Sequence, residues 1–403
     1  MKASIITIGN ELLGGFIIDS NASWMSRKLL DIGIRTSLKI TVGDDKEEIL
    51  KGLNIASKST DLIFCTGGLG PTIDDVTLET FCEFIDANLE IDESYLEELK
   101  ERFERRGREM PDSNRNQALI PNKGEVVTNP IGSARGVKYN ENNKQYYVLP
   151  GVPAEMKEMM ESFILPELKN NYKSDLKIST IRTTGIMESA LHDKLSDLIS
   201  DLKDVEIAFI PGFMGVDVRL VSEDTKRIEH LSDKIYDQMG NYIYGEDWES
   251  LEEIIGKQLR EYGFTIATAE SCTGGLMSDR ITNIAGSSDY YLGGVVTYSN
   301  EAKTTLLGVR NETLISVGAV SEETAIEMAQ GVRKLFQTDI GVSITGIAGP
   351  SGDTPNKPIG LTYIGLDFSG DIDVQKYIFS TDRRFNKELA AQAALNLVRI
   401  ALL

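Results

Sequence analysis

The feature that most constrains this chain is a local pattern repeated at both ends: a short apolar run, a turn rich in glycine or acidic residues, then a helical periodicity. In the first part the runs are ASIITIG at 3–9, RTSLKITV at 35–42, DLIFCT at 61–66 and QYYVL at 145–149, with helical patterns from Asn21 to Asp31 and from Lys46 to Lys58 between them. Parallel strands need a crossover connection, and a helix supplies it, so this alternation predicts a doubly wound α/β domain with a mostly parallel sheet. In such folds ligands gather beyond the carboxyl ends of the strands, so the loops there are where chemistry is sought.

The same rhythm resumes from residue 264 with FTIATA, YYLGGVVTYS, DIGVSITG and GLTYIGLDF, after an acidic GEDWES segment at 245–250. Between the two lies a small α+β pattern: a strand (LKISTIRTT), a helix from Glu188 to Leu202, an alternating strand (GVDVRLV) and a helix from Thr225 to Met239. A Met- and Glu-rich helix at 153–172 and the polar stretch NNYKSD at 170–175 close the first part. With 403 residues exceeding what one core supports, three domains are expected: 1–172, 173–248 and 249–403.

Charge and composition narrow the function. Lys plus Arg number 42 against 62 Asp plus Glu, and a net charge of −20 repels polyanions, so no nucleic-acid partner is expected. No run reaches the ~18 apolar residues of a membrane span, and MKASIITIGN lacks the pattern of a signal peptide, so a cytoplasmic chain with no membrane partner is expected. Cys65, Cys82 and Cys272 are too few and too scattered for a disulfide framework or a four-ligand zinc site. The only histidines, His192 and His230, fall mid-chain, so neither terminal part has a local histidine base. Any metal would rest on carboxylates and phosphates, which suits a magnesium-like ion.

In TIATAESCTGGL a serine stands at a strand-to-helix turn with Gly274 and Gly275 behind it. Glycines let the backbone approach a ligand, and a helix N-terminus favours developing negative charge, so Ser271 sits where a nucleophile and an oxyanion hole can coexist. The competing reading is that Ser271 or Thr273 caps the helix. A serine needs a base. YSNEAK at 298–303 ends a second strand with Tyr298 and Lys303, and a lysine with a burial-lowered pKa can take the serine proton while Tyr298 relays it or orients the serine. Against this stands a solvated lysine on a helix face. Cys272 is a rival nucleophile without a histidine partner and reads as packing. A third glycine-rich turn, SITGIAGPSG, offers Thr345, Gly346, Gly349 and Ser351 to a phosphate or ribose.

ESCTGG, YSNEAK, GAVSEETA and TGIAGPSG together resemble, in order, the C-terminal domain of CinA-like competence- and damage-inducible proteins. The resemblance implies nicotinamide mononucleotide deamidase activity, with nicotinic acid mononucleotide and ammonia as products and no cofactor. It implies Ser271 as nucleophile, Lys303 as base and Tyr298 as its helper, with Glu270, Thr273, Gly274, Gly275, Thr345, Gly346 and Gly349 as the binding shell.

The first part carries FCTGGLGPTIDDVT at 64–77, where Gly67, Gly68 and Gly70 free N–H groups for a phosphate and Asp74 and Asp75 face a helix start. One aspartate as a helix cap is the plainer reading, with a divalent cation the alternative. GDD at 43–45 and GNELLGG at 9–15 also follow strands. These segments, with NRNQALIP and LPGVPAEM, resemble the molybdopterin-binding-like domain at the N-terminus of CinA proteins. That resemblance implies metal-dependent hydrolysis of ADP-ribose to AMP and ribose 5-phosphate. Asp44, Asp75 and Glu11 are its expected metal ligands, and Asp74, Asn114 and Arg115 support the phosphate side; Asn116 and Gln117 read equally as structural contacts. The middle segment resembles the KH-like domain of the same proteins, where a spacer or dimer-forming role fits an acidic chain, and a homodimer is implied. The rival to a bifunctional enzyme is a competence-associated or molybdopterin-type cofactor-binding scaffold with one or both sites inactive.

Overall fold

A computed structural model describes residues 1–72, 74–172, 174–200, 202, 204–212, 215–379 and 382–403. The chain divides into two compact units, Met1–Leu176 and Lys177–Leu403.

The first unit runs β1 (Lys2–Ile8), α1 (Asn10–Leu13), α2 (Ser20–Asp31), β2 (Arg35–Val42), α3 (Lys46–Ser59), β3 (Leu62–Thr66), α4 (Thr77–Phe84), β4 (Leu89–Ile91), α5 (Glu93–Glu104), β5 (Leu119–Pro121), β6 (Glu125–Val127), β7 (Gly136–Glu141), β8 (Lys144–Leu149), α6 (Pro153–Met159) and α7 (Leu165–Asn171). Its sheet has the order β2-β1-β3-β8-β7-β6, with β1, β2, β3 and β8 parallel and β7 and β6 returning antiparallel. Alternation along the central strands decides which layer each side chain enters. Ala3 and Ile5 of β1 and Leu62 and Phe64 of β3 pack against α2, α6 and their neighbours, while Ile6, Ile8, Ile63 and Cys65 pack on the other face under α3 and α4. Burial on both faces is why these strands read as unbroken apolar runs. The 153–172 segment is helical but passes through a π turn at Met160–Ile164, and position 173 of the expected linker lies outside the described residues.

The second unit begins with β9 (Lys177–Thr183), α8 (Glu188–Ile199), β10 (Glu206–Pro211), β11 (Val216–Ser222), α9 (Thr225–Met239) and β12 (Ile243–Glu246). These build an antiparallel sheet of order β10-β11-β9-β12 under the two helices. Two of its strands, β10 and β12, were not expected from the sequence, and α8 ends at Ile199 rather than Leu202. β10 shows no two-residue burial alternation, which is the signal a strand reading depends on.

The unit continues with α10 (Leu251–Tyr262), β13 (Ile266–Glu270), α11 (Leu276–Thr282), β14 (Tyr291–Val296), α12 (Asn300–Leu307), α13 (Asn311–Ser316), α14 (Glu322–Phe336), β15 (Ile340–Gly346), β16 (Leu361–Phe368), β17 (Asp371–Ile378) and α15 (Arg383–Ala401). The sheet order is β14-β13-β15-β16-β17, with β14, β13 and β15 parallel and the last two strands antiparallel. α10, α11 and α15 cover one face and α12 and α14 the other. Ser250 and Glu253 form a reciprocal capping box that starts α10 where the acidic segment ends. Because the chain leaves β13 for β14 on one side and later places β15 on the other, the gap between β13 and β15 is the point where strand order reverses. Among the described residues no helix is long and apolar enough to cross a membrane.

Candidate active site

Ser271 is the first residue after β13, and its N–H donates to Ile344 O of β15 at 2.9 Å. The sheet therefore holds the serine's main chain at the reversal point. Lys303 arrives from α12, whose start is set by Ser299 accepting from Ala302 N at 3.0 Å. Four residues past that cap, the lysine side chain turns inward and is only 1% exposed. Its Nζ lies 3.0 Å from Ser271 Oγ and donates to Thr297 O at 2.6 Å. Among the described residues no carboxylate pairs with it, and burial lowers its pKa from the ordinary lysine value. Burial disfavours the charged amine, and a lysine in its neutral form in contact with a hydroxyl can accept its proton. The serine and lysine, 32 positions apart, are thus brought together; neither is a plain cap or a solvated surface group.

The turn behind Ser271 departs from expectation. The Glu270 carboxylate accepts from Gly275 N at 2.9 Å, Met277 N at 3.2 Å, Ser278 N at 2.8 Å and Ser278 Oγ at 2.6 Å. Expected in the binding shell, Glu270 instead spends its side chain on the first turn of α11, in the manner of a cap donated from the preceding strand. The N-terminus of α11 is consequently unavailable as an oxyanion hole. Of the residues in the turn after Ser271, Cys272 lines the cavity, so an oxyanion donor on this turn is sought at its main chain. Cys272 is buried and its thiol is pushed up to about 11 by burial, which leaves it inert as a nucleophile.

A cavity of about 250 Å³ opens over the pair, bounded by Ser271, Cys272, Tyr298 and Lys303, by Ala319 and Val320, by Thr345 to Gly349, Ser351 and Gly352, and by Arg383. Thr345, Gly346 and Gly349 thus fall at the site, although the Thr345 hydroxyl is committed to Ala319 O at 2.6 Å. Thr273, Gly274 and Gly275 are not among its lining residues. Tyr298 is exposed, and its hydroxyl accepts from Arg383 Nη2 at 3.2 Å, while Arg383 Nη1 donates to Gly349 O at 2.7 Å. Arg383, at the first position of α15, is a cation that the sequence reading missed; no motif contains it, and only the demand of an anionic substrate for a positive group would have pointed there. Asn386, one turn on, donates to Ala348 O at 3.0 Å and fixes the glycine-rich loop.

In the first unit, a cavity of about 270 Å³ lies beyond β3, bounded by Gly68 to Gly70, Asp75, Leu78 and Glu79, by Asn116, Gln117 and Leu119, and by Ala134 and Arg135. Gly68 adopts φ +63, and a side chain there would meet Thr77 Oγ1. Gly67 is not a free donor, because its N–H is bonded to Leu149 O. Asp75 is not a helix cap either: its Oδ2 accepts from Thr72 N at 2.8 Å and Thr72 Oγ1 at 2.5 Å, shaping the turn, and α4 begins without a side-chain cap. Asp74 is exposed, Asn114 donates to Gln117 Oε1 at 2.9 Å, and neither these two nor Arg115 lines the cavity. Asp44 accepts from Asn10 N at 2.8 Å. Glu11, Asp44 and Asp75, expected to share a metal, do not come together: among the described residues no three metal-binding side chains cluster. Asp75 is held by its own turn, whereas Asp44 reaches across to the main chain of Asn10. Asn116, Gln117 and Arg135 take their place as cavity residues, with Arg135 anchored to Asp92 at 2.7 Å and lying 3.8 Å over the Tyr95 ring.

Comparison with known proteins places these sites in a family. Residues 248–402 match the CinA C-terminal domain, residues 4–170 the "Probable molybdopterin binding domain", and residues 179–245 the damage-inducible protein CinA KH domain. A CinA-like protein of Kosmotoga olearia is 42% identical over 409 residues, covering 100% of this chain and 99% of its own. A CinA-like protein of Salinibacter ruber is 40% identical over 407 residues, covering 99% of each. Among solved structures, the competence/damage inducible protein CihA of Agrobacterium tumefaciens is 38% identical, covering 38% of this chain and 93% of its own with a TM-score of 0.37. Matching three CinA-type domains in order and a CinA-like relative along its whole length, this chain of 403 residues belongs to the CinA family.

Proposed function

We propose that the C-terminal site is a serine/lysine amidohydrolase that converts nicotinamide mononucleotide to nicotinic acid mononucleotide and ammonia. The observation that carries this reading is Lys303, buried, without a carboxylate partner among the described residues, and 3.0 Å from Ser271 Oγ. Neutral Lys303 takes the Ser271 proton as Oγ bonds to the carboxamide carbon. The tetrahedral oxyanion is met by main-chain N–H groups of the turn that follows Ser271, where Cys272 lines the cavity. As the C–N bond breaks, Lys303 returns the proton to the leaving nitrogen, which departs as ammonia and leaves an ester on Ser271. Water then attacks the ester carbon, giving its proton to Lys303, and the restored serine takes that proton back as the acid leaves. Arg383 is the cation at hand for the substrate phosphate, and Tyr298 orients the group that enters beside it.

We further propose that the N-terminal cavity hydrolyses ADP-ribose to AMP and ribose 5-phosphate. Asp75 keeps Oδ1 free of hydrogen bonds among the described residues, so one carboxylate oxygen remains to hold a divalent cation. Magnesium-like ions are commonly held by one or two carboxylates with water and substrate phosphates completing the shell, and this donor set fits that mode. When bound, the cation supplies charge neutralisation on the diphosphate and a more acidic water. The N–H groups around Gly68 and Gly70 and the side chains of Asn116 and Gln117 receive the substrate. The absence of a three-ligand cluster among the described residues favours one alternative, a molybdopterin-type binding scaffold without turnover at this cavity.

Both readings are tested by incubating the purified chain with each nucleotide and identifying products. Ser271→Ala should abolish ammonia release while ADP-ribose cleavage continues, and undiminished ammonia release refutes the nucleophile. A divalent-metal chelator should stop ADP-ribose cleavage alone; cleavage that survives it removes the metal from the scheme, and no cleavage under any condition leaves the scaffold.

A further inference from the structure

Two walls of the Ser271 cavity come from segments outside the sheet. One is the turn 317–320 between α13 and α14, which contributes Ala319 and Val320. The other is the loop 347–360 between β15 and β16, which contributes Ile347 to Gly349, Ser351 and Gly352. Strand pairing does not set the distance between them, so side chains must.

Buried or half-buried carbonyls in a turn need donors, and in the first wall four successive ones accept from side chains. Gly318 O takes the hydroxyls of Ser321 at 3.0 Å and Thr324 at 2.9 Å, both at the start of α14. Ala319 O takes the hydroxyl of Thr345 on β15 at 2.6 Å. Val317 O and Val320 O both accept from Lys357 Nζ, at 2.5 Å and 2.7 Å. Lys357 belongs to the second wall's loop. There Thr354 and Lys357 exchange main-chain hydrogen bonds of 2.9 Å and 3.0 Å, a tight hairpin about Pro355 and Asn356. The two segments lie close: Gly318 has φ +80, and a Cβ on it would stand 3.2 Å from Lys357 Nζ. An ammonium carries three donors and no acceptor, and its bonds to carbonyls are charge-assisted, so one side chain fastens two carbonyls at once.

We propose that Lys357 is a positioning residue for the Ser271 site: its ammonium ties the 317–320 turn to the 347–360 loop, and this tie sets how tightly the cavity holds its substrate. The role rests on the amidohydrolase reading above. The reacting pair is fixed by other contacts, Ser271 N–H on Ile344 O and Lys303 Nζ on Thr297 O. Loosened walls therefore weaken substrate and transition state alike, while bound substrate reacts at its former rate.

The test compares full-length wild type and Lys357→Met in steady-state ammonia release from nicotinamide mononucleotide, and in hydrogen exchange without substrate. Lys357→Met should raise KM at least ~10-fold, with kcat within ~3-fold of wild type and its pH profile unmoved. Exchange at the Thr354 and Lys357 amides should quicken at least ~10-fold. An unchanged KM, or a loss in kcat as large as the rise in KM, overturns the proposal. So does unchanged exchange. Should the methionine variant fail to fold, Lys357→Gln, which keeps an uncharged donor, is judged by the same criteria. A wild type that releases no ammonia sinks the amidohydrolase reading but not the tie, which exchange then decides: faster exchange in the variant sustains it and unchanged exchange removes it.

Discussion

Replacing Lys303 by methionine separates the lysine's chemistry from its packing. Methionine keeps an unbranched apolar stem in a position that is 99% buried by exposure and removes the amine alone. Two energetic terms then oppose. Thr297 O loses the donor that lay 2.6 Å away, and an orphaned buried acceptor costs about 1–3 kcal/mol. Against this, the folded state no longer has to accommodate an amine whose charged form burial disfavours. The net stability change at neutral pH is expected within ~2 kcal/mol, and the chain stays folded. Activity behaves otherwise, because loss of a general base in contact with its nucleophile costs about 10²–10⁴ in kcat/KM. The pH dependence carries its own sign. On the proposed mechanism, wild-type deamidation should rise as Lys303 deprotonates and flatten above its folded pKa, which lies below the ordinary 10.5. In the same window, from the folded pKa up to 10.5, the unfolded chain holds more protons than the folded one, so wild-type stability relative to Lys303→Met increases with pH. Ammonia release in a coupled assay and urea unfolding at pH 7 and pH 9 measure both. Activity within tenfold of wild type in a folded Lys303→Met protein, or a stability difference that falls as pH rises, refutes the reasoning.

Glu270→Ala leaves three backbone N–H groups and the Ser278 hydroxyl without their acceptor and should cost at least ~3 kcal/mol by chemical denaturation; a loss under 1 kcal/mol shows that the first turn of α11 does not depend on this clamp. Asp92 is held at about 2 by the hydrogen bond from Arg135, with Ser94 and the Tyr95 N–H adding to it. Its stabilising contribution is present above 3.8 and lost as pH falls toward 2, so Asp92→Asn should lower Tm by about 2–4 °C at pH 7 and by progressively less in acid. A deficit that stays constant down to pH 2 contradicts the assignment.

The alternation of apolar runs with helical periodicities was enough to place both large sheets, because strands such as β1 and β3 are buried on both faces and leave no ambiguity in composition. Ser271 and Lys303 were legible for a different reason: with both histidines in the middle of the chain, a serine at a strand end needs a base from another motif. What the pattern could not convey is which polar group serves the backbone and which serves a ligand. Glu270 and Thr345 stand inside motif segments, yet the Glu270 carboxylate is occupied by main-chain N–H groups five to eight residues on and the Thr345 hydroxyl by Ala319 O, 26 positions back. Glu11, Asp44 and Asp75 each follow a strand, and strand ends alone do not bring carboxylates into one cluster. Arg383 escaped notice because it reaches the cavity from an element 80 residues beyond Lys303, with no sequence neighbour that speaks of a site. The edge strand β10 was missed since a half-exposed strand lacks the contrast between inner and outer residues.

The Glu270 clamp also bears on turnover. In the proposed reaction an acid forms at Ser271, and an acid formed beside a vacant helix N-terminus would be retained there as a bound anion. Here that position is already filled by a carboxylate belonging to the adjacent residue, whose oxygens take the N–H groups of Gly275, Met277 and Ser278. A carboxylate formed at Ser271 therefore finds no seat on the first turn of α11. If the proposed reaction runs here, the turn that presents the serine adds nothing to the retention of its acid product.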